Sequence, residues 1–600
     1  MTRSWKCLAT LSASALALSC SAASPGLQPS ELQPARFTRE LSTSERRWVE
    51  RSLARMTLQQ KIGQLLFPRI TGAYMPLGGT EYERVREWIV KYGVGGVIVT
   101  IGPPLEMAAK LNSLQQLAAL PLLVSADMEH GPGQTLNAGT IMPYGIDNGG
   151  ATRFPPLMGL GATGDQRLAY EMGRITATEA RAVGVHVTFA PVVDVNNNPE
   201  NPIINTRSYG ADPELVGRMA SAHIRGLQDH GMAATAKHFP GHGDTGTDSH
   251  VSLPVISVGK GRADSVELPP YRAAIDQHVA GIMTAHIAFP ALTGDTVPAT
   301  LNGKILTGLL RDELDYQGVI FTDAMDMGAI TTGFGRTNAS VMALKAGADV
   351  LLQPFAQDLP AIIDAIERAV QRGEISDARI EQSVRRVLEL KARLALHRQR
   401  SVSLDRVAET VARPEHLRIA QDAADRSITL LHDQQQLIPL RGRVLSVVYT
   451  DDYDPFAGRT LNSLLRTALP DMRNLLIDAN AGVEDMRALA VAADSADVIA
   501  FSAFIRVRDR KADLAIPRGI AEAIGALAAR KPTMVTSFGN PYLRAQFPDI
   551  GTYVLAWGQT DVEQRAAARA LLGQIPITGK LPISIPPFHR IGEGLVSQTR

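Results

Sequence analysis

Between residues 50 and 400 the chain alternates two hydrophobic periods. Short aliphatic and β-branched runs recur at LLFPRI (65–70), VGGVIVT (94–100), LPLLVSADME (120–129) and VHVTFAPVVDV (185–195). They continue at MAATAKHFPG (232–241), VAGIMTAHIAF (279–289), GVIFTDAMD (318–326) and ADVLLQP (348–354). Most are separated by segments with apolar residues at helical spacing, such as 165–184 and 212–231. Unbroken apolar runs are strands buried on both faces, so this alternation predicts a parallel sheet with crossover helices. Eight such units predict a (β/α)8 barrel over 49–400. An open doubly wound sheet is the structural alternative.

After about residue 400 the pattern changes. SVSLDRVAETVARPEH (401–416) reads as a linker leading into a helix. Further apolar runs at 443–451, 473–479, 497–505, 532–543 and 552–558 alternate with helical stretches such as 512–530. They predict a smaller, open-sheeted α/β domain over 417–600.

The first residues follow neither period. Arg3 and Lys6 precede an apolar run from Leu8 to Leu18, the layout of an export signal and too short for a bilayer-spanning helix. ALSC (17–20) resembles the lipobox of bacterial lipoproteins, which implies acylation at Cys20. A plain secretory peptide cut near Ala22 or Ala23 is the alternative. The expectation is a signal peptide over 1–20, a Ser-, Pro- and Glu-rich tether over 21–48, and an exported, periplasmic, membrane-anchored protein. The two cysteines, Cys7 and Cys20, both fall in this signal, so the remaining chain can hold no disulfide framework. Across 600 residues, 45% are hydrophobic and 20% charged, with a net charge of +1. That balance fits large buried cores and gives no electrostatic case for nucleic acid or an acidic membrane surface.

Charged residues sit where the apolar runs end. Asp127 and Glu129 follow LLVSA, Asp194 follows FAPVV, Lys237 and His238 follow AATA, His286 follows IMTA, and Asp323 follows VIFT. Barrel active sites are built at the C-terminal ends of the strands. Buried charges cost several kcal/mol unless paired, so five strands ending this way point to a site rather than to packing. KHFPGHGDTGTDSH (237–250) is too polar and too rich in glycine to serve a core. Its histidines and aspartates could act as acid–base groups or as metal ligands. Pro240 and three glycines, however, leave no helix on which two ligands could sit four residues apart.

This stretch resembles the defining motif of the β-N-acetylhexosaminidases of glycoside hydrolase family 3. MTLQQKIGQLL (56–66), FAPVVDVNNNPENPIINTRSYGADP (189–213), GVIFTDAMDMGAI (318–330) and KAGADVLLQP (345–354) resemble further segments of that family in its order. The resemblance extends to FGNPY (538–542) and TGKLPIS (578–584) in the second domain of the two-domain members. It implies Asp323 as nucleophile, His250 as acid/base and Asp248 as the group orienting His250. It implies Asp127, Arg207, Lys237 and His238 as contacts to the terminal sugar, and no metal or organic cofactor. Gly241, Gly243 and Gly246 would then let the histidine loop fold over the sugar and withdraw. Other branches of the family take an acid/base glutamate from the second domain, and with Asp248 and His250 present none is expected here.

Where the family often reads D-x-E-G-G-R-V, this chain has DMEHGPGQTL (127–136), and the segment 137–151 is an insertion expected at the barrel mouth. The implied activity is exo-acting, retaining removal of terminal N-acetylglucosamine from peptidoglycan fragments or chitooligosaccharides. Alternatives are another family 3 glycosidase such as a β-glucosidase, a metal-dependent hydrolase, or a sugar-binding lipoprotein without turnover.

Overall fold

Eight parallel strands form within the unbroken apolar runs: β1 (Leu66–Ile70), β2 (Gly96–Val99), β3 (Leu123–Ala126) and β4 (Val187–Thr188). They continue as β5 (Thr235–Phe239), β6 (Gly281–Thr284), β7 (Val319–Ala324) and β8 (Val350–Gln353). The computed structural model describes residues 37–137, 141–142, 146–147, 149–354, 358–451, 457–507, 510–511 and 514–597. The expected signal, Cys20 and residues 21–36 of the expected tether lie outside them.

The strands pair in the order β4-β3-β2-β1-β8-β7-β6-β5. Parallel bridges from Val187 to Ala233 and from Val192 to Lys237 join the two ends into a barrel. Every residue of β2, β3, β6 and β8 is buried, because helices cover the outside and side chains fill the inside. Phe321 on β7 packs edge-on against Phe67 on β1 and against Phe189, with ring centroids 6.1 and 5.8 Å away.

The crossover helices begin and end on local signals. The helix Gln166–Val183 starts where the Asp165 carboxylate accepts the Arg167 amide, and it stops at Gly184, whose φ is 94°. The helix Pro213–Asp229 starts on Asp212, which accepts the amides of Glu214 and Leu215. Each buries an apolar stripe, including Leu168, Met172 and Ile175 on one and Val216, Met219 and Ile224 on the other. Each such aliphatic side chain contributes roughly 1.5–3 kcal/mol by leaving water.

Order begins earlier than the expected tether allows. Thr43–Arg55 is a helix, opened by a capping box between Ser42 and Glu45, and it buries Val49 and Leu53 against the barrel. The Arg39 guanidinium grips Glu45 through two bonds of 2.8 and 2.7 Å. The expected boundary at residue 48 therefore falls inside a packed helix. The expected linker is also built in: Asn112 exchanges two 2.8 Å bonds with the backbone of Val402, Asp405–Thr410 is helical, and Pro414–Ser427 forms the next helix. The insertion folds partly as a hairpin, Ile141–Met142 pairing antiparallel with Ile146–Asp147.

Six further strands form a mixed open sheet: β9 (Thr429–Asp433), β10 (Val444–Thr450), β11 (Arg473–Asp478), β12 (Val498–Ile505), β13 (Thr533–Gly539) and β14 (Thr552–Leu555). Their order is β9-β14-β13-β12-β10-β11, with β9 antiparallel to β14 and the rest parallel. The barrel helix Leu157–Thr163 sends Met158 and Ala162 into the core of this sheet, alongside the fully buried Trp557. Nearby, Glu179 of the barrel accepts the Thr152 amide and hydroxyl (2.9 and 2.7 Å) and bonds His416 Nδ1 at 2.6 Å.

Candidate active site

At the C-terminal rim of the barrel, β3 and β5 supply a charge network. The Lys237 amine lies 3.0 Å from Asp127 Oδ1 and 2.7 Å from Glu129 Oε1. Arg207 closes on the same Glu129 carboxylate through Nε at 2.8 Å and Nη2 at 2.7 Å, a bidentate pair. Burial alone would raise the Glu129 carboxyl, but Arg207 and Lys237 outweigh it and hold it well below the ordinary range. Asp127 differs: its side chain keeps 52% of its surface open, so its carboxylate is free to accept hydroxyls.

Arg207 arrives on a self-stitched loop. The Asn201 side chain accepts the amides of Ile203 and Ile204, and Asn196 accepts the amide of Asn205. Asn201 also donates to the carbonyls of His242 and Gly243, tying this loop to the histidine-rich one. Asp194 does the same from the segment that follows β4. Its carboxylate takes the amides of His238 (3.1 Å) and His242 (2.7 Å) and bonds His238 Nδ1 at 2.7 Å. His242 turns inward instead, to Thr245 at 2.8 Å and Ser249 at 3.0 Å. Among the described residues no three His, Cys, Asp or Glu side chains converge as a metal-holding group.

Asp323 ends β7. Its Oδ1 accepts the Ala324 amide at 2.7 Å. Burial would raise its carboxyl, yet the imidazoles of His238, His286 and His250 and that amide together lower it to about 2. His286, on the loop after β6, bonds Thr300 through Nδ1 (2.8 Å) and the Ala324 carbonyl through Nε2 (3.0 Å), bracing the peptide beside Asp323.

Asp248 and His250 face each other across 2.7 Å, from Oδ1 to Nδ1, and the same Oδ1 takes the His250 amide at 2.9 Å. Burial would lower the His250 pKa, but the bond to Asp248 and the charges of Asp323 and Asp248 raise it above 6.5. The loop that carries this pair is docked on the segment after β7. Gly328 donates its amide to the His250 carbonyl at 3.1 Å, and Ala329 donates to Ser249 at 3.2 Å. A Cβ at Gly328 would stand 2.4 Å from the Val251 carbonyl, so the close approach requires glycine. Gly243 is constrained likewise, 1.8 Å from Val195 O, whereas Gly246 has open space around it.

All the site residues expected from sequence therefore meet on one rim: Asp127, Arg207 and Lys237 in the charge network, and His238, Asp248, His250 and Asp323 around one another. The sequence reading gave no role to Glu129, which anchors both cations, nor to His286. Both follow apolar runs, and that position was the only available signal. An ionised carboxylate can attack an electrophilic carbon, an imidazole backed by a second carboxylate can give and take a proton, and Asp127 with Lys237 can hold hydroxyls.

A parallel barrel with ionised carboxylates and an imidazole–carboxylate pair on its C-terminal rim has the build of a barrel enzyme. The chain belongs to glycosyl hydrolase family 3, residues 57–390 matching the family's N-terminal domain. A β-N-acetylglucosaminidase/β-glucosidase of Cellulomonas fimi is 30% identical over 561 residues, which is 89% of this chain and 95% of that protein. Among solved structures, a family 3 β-N-acetylglucosaminidase from a Paenibacillus species is similar, with a TM-score of 0.79 and 34% identity over 88% of this chain and 99% of that one. The β-glucoside phosphorylase BglX superposes with a TM-score of 0.80 and 27% identity, over 91% of this chain and 97% of its own.

Proposed function

We propose that the protein is an exo-acting, retaining β-N-acetylhexosaminidase that removes terminal N-acetylglucosamine from peptidoglycan fragments or chitooligosaccharides. The observation that carries this reading is the 2.7 Å Asp248–His250 pair, docked beside Asp323. Asp323 attacks the anomeric carbon while the bond to the leaving oxygen breaks and that oxygen takes the proton from His250 Nε2. The glycosyl ester on Asp323 is then attacked by water, which yields a proton to neutral His250, and the second inversion restores the β configuration. Asp248 keeps the imidazole in the tautomer that presents Nε2 to the substrate. Asp127, Lys237, Arg207 and His238 hold the sugar.

A second reading, transfer to phosphate or action on glucosides, is supported by the names of the Cellulomonas relative and the phosphorylase neighbour. The test is turnover of aryl N-acetyl-β-glucosaminide and aryl β-glucoside, each with and without phosphate. The first reading expects the N-acetyl substrate to be favoured and phosphate to be inert; a glucoside preference or phosphate dependence would replace it. We further propose export and a lipid anchor at Cys20, on the ALSC sequence at residues 17–20. Membrane fractionation of a Cys20→Ala variant checks this, with release into the soluble fraction expected.

A further inference from the structure

We infer that the second domain takes part in proton transfer, its Arg510 backbone amide being the positioning group that fixes the Asp248 carboxylate. The inference rests on the proposed role of His250. The two oxygens of Asp248 are divided: Oδ1 serves the His250 imidazole and amide, and Oδ2 accepts the Arg510 amide at 2.6 Å. Asp248 is only 5% exposed, so few other donors can reach Oδ2. A buried carboxylate oxygen without a donor is costly, and a carboxylate held at one oxygen can swing about its Cβ–Cγ bond. The amide therefore stops the rotation that would carry Oδ1 away from the imidazole.

Three features aim this amide. Arg510 has φ of 59°, a left-handed conformation that residues other than glycine adopt only when their surroundings impose it. The next residue, Lys511, is ion-paired with Asp451 at the end of β10, and that carboxylate is 8% exposed. Further along the same side, the Leu514 carbonyl accepts the Asn540 side chain at 3.0 Å. Asn540 in turn accepts from Asn205 at 3.1 Å, on the turn that carries Arg207. The chain that follows Arg510 is thus tied twice to the second domain, and one tie runs on into the barrel.

The test measures kcat/KM across pH for 2,4-dinitrophenyl N-acetyl-β-glucosaminide and for the N-acetylglucosamine disaccharide. It compares the parent with Arg510→Pro, Arg510→Gly, Asp451→Asn and His250→Ala, all as full chains. Arg510→Pro lacks the N–H and, with its φ fixed at about −65° by the ring, also turns the backbone out of the 59° conformation. It should lose roughly 10- to 100-fold on the disaccharide, as a displacement of about 1 Å costs in catalytic geometry, while the dinitrophenyl substrate, whose leaving group needs no proton, is nearly spared. The charges that act on His250 are Asp248, Asp323 and Arg207. With Asp248 swung away the His250 pKa falls, so activity that needs the protonated imidazole is lost at a lower pH.

Arg510→Gly keeps the amide and suits the backbone, and should recover both the pH limb and the leaving-group profile. Asp451→Asn loosens the loop without touching Arg510 and should show the same pattern at smaller size, which keeps the test decisive if the proline variant fails to fold. Equal losses on both substrates with an unmoved limb, or parent-like kinetics throughout, would overturn the inference while a leaving-group-dependent His250→Ala leaves the role of His250 standing. A His250→Ala variant that loses equally on both substrates would remove that role and this inference with it.

Discussion

The charge network around Glu129 (the cradle proposed to hold the sugar) and the histidine loop lie on one rim and are built on opposite principles. In the cradle, Lys237 and Glu129 are 4% and 5% exposed, and their charges neutralise one another through side-chain bonds between strand ends. The His250 end of the loop carries a side chain 28% exposed and is held by backbone groups, the Gly328 and Ala329 amides beneath it and the Arg510 amide beside it, while the side chains of Asp194 and Asn201 fasten its other end. Binding needs donors and acceptors at fixed positions, which buried ion pairs supply and which are expensive to disturb. Proton transfer needs one nitrogen to meet first a leaving oxygen and then a water. A segment fastened by a few main-chain bonds at an exposed edge can shift between those tasks at small cost.

Three substitutions can break or sharpen this contrast. The largest effect is expected in the loop. His250→Ala should lose on the order of 10²–10⁴-fold in kcat/KM on substrates with a sugar leaving group and little on dinitrophenyl glycosides. Azide should accelerate release of the glycosyl enzyme and give a β-glycosyl azide, with the melting temperature nearly unchanged. Uniform loss without azide rescue would make His250 a merely structural part of the loop.

Next comes the cradle, where the effect should appear as stability. Glu129→Gln leaves Lys237 and Arg207 buried without their shared counter-charge and should cost roughly 3–5 kcal/mol by denaturant unfolding. The folded pKa of Glu129 lies well below 4.5, so its contribution is fully present above pH 4.5 and is lost as pH falls toward the folded value. The variant should lack that part of the acid destabilisation seen in the parent. A variant as stable as the parent would mean that the cradle is held by its strands rather than by its charges.

The smallest effect is expected at the junction. Gly328→Ala puts a Cβ 2.4 Å from the Val251 carbonyl and must push the loop outward. About tenfold should be lost on substrates whose leaving group needs a proton, with little change in binding of an N-acetylglucosamine inhibitor. An inhibition constant that worsens as much as kcat/KM would show that cradle and loop move together.

The barrel was legible because each strand is a run too apolar to face water, and because charges after such runs have few explanations other than a site. Asp323 stands out for that reason, whereas Asp248 and His250 were legible only through the resemblance of residues 237–250 to the family motif. The strand β9 was not legible: Thr429–Asp433 follows the helix Pro414–Ser427 after a single residue, Ile428, without a turn signal. The helix from Thr43 was hidden by polar, proline-rich neighbours, although Ser42 and Glu45 spell its cap. Glu129 and His286 were visible as strand-end residues and yet received no role, since only the folded distances reveal whose charge or carbonyl they hold. The bond from Arg510 to Asp248 could not be read at all. A main-chain amide is common to every residue but proline, and the two partners lie 262 positions apart.

The helix Leu157–Thr163 shapes how the chain can be made. Residues Leu157 to Ala162 are all buried in the finished protein, with Met158 and Ala162 in a core that the second sheet completes. On the ribosome this helix emerges long before Thr429 and the strands that cover it. Until then the nascent barrel leaves Met158 and Ala162 without their covering core, while Leu157 and Leu160 already pack inside the barrel, and apolar surface left open in this way draws chaperones or seeds aggregates. A chain threaded through a membrane while still unfolded would meet that hazard on the far side instead, and only until the last strand has been delivered.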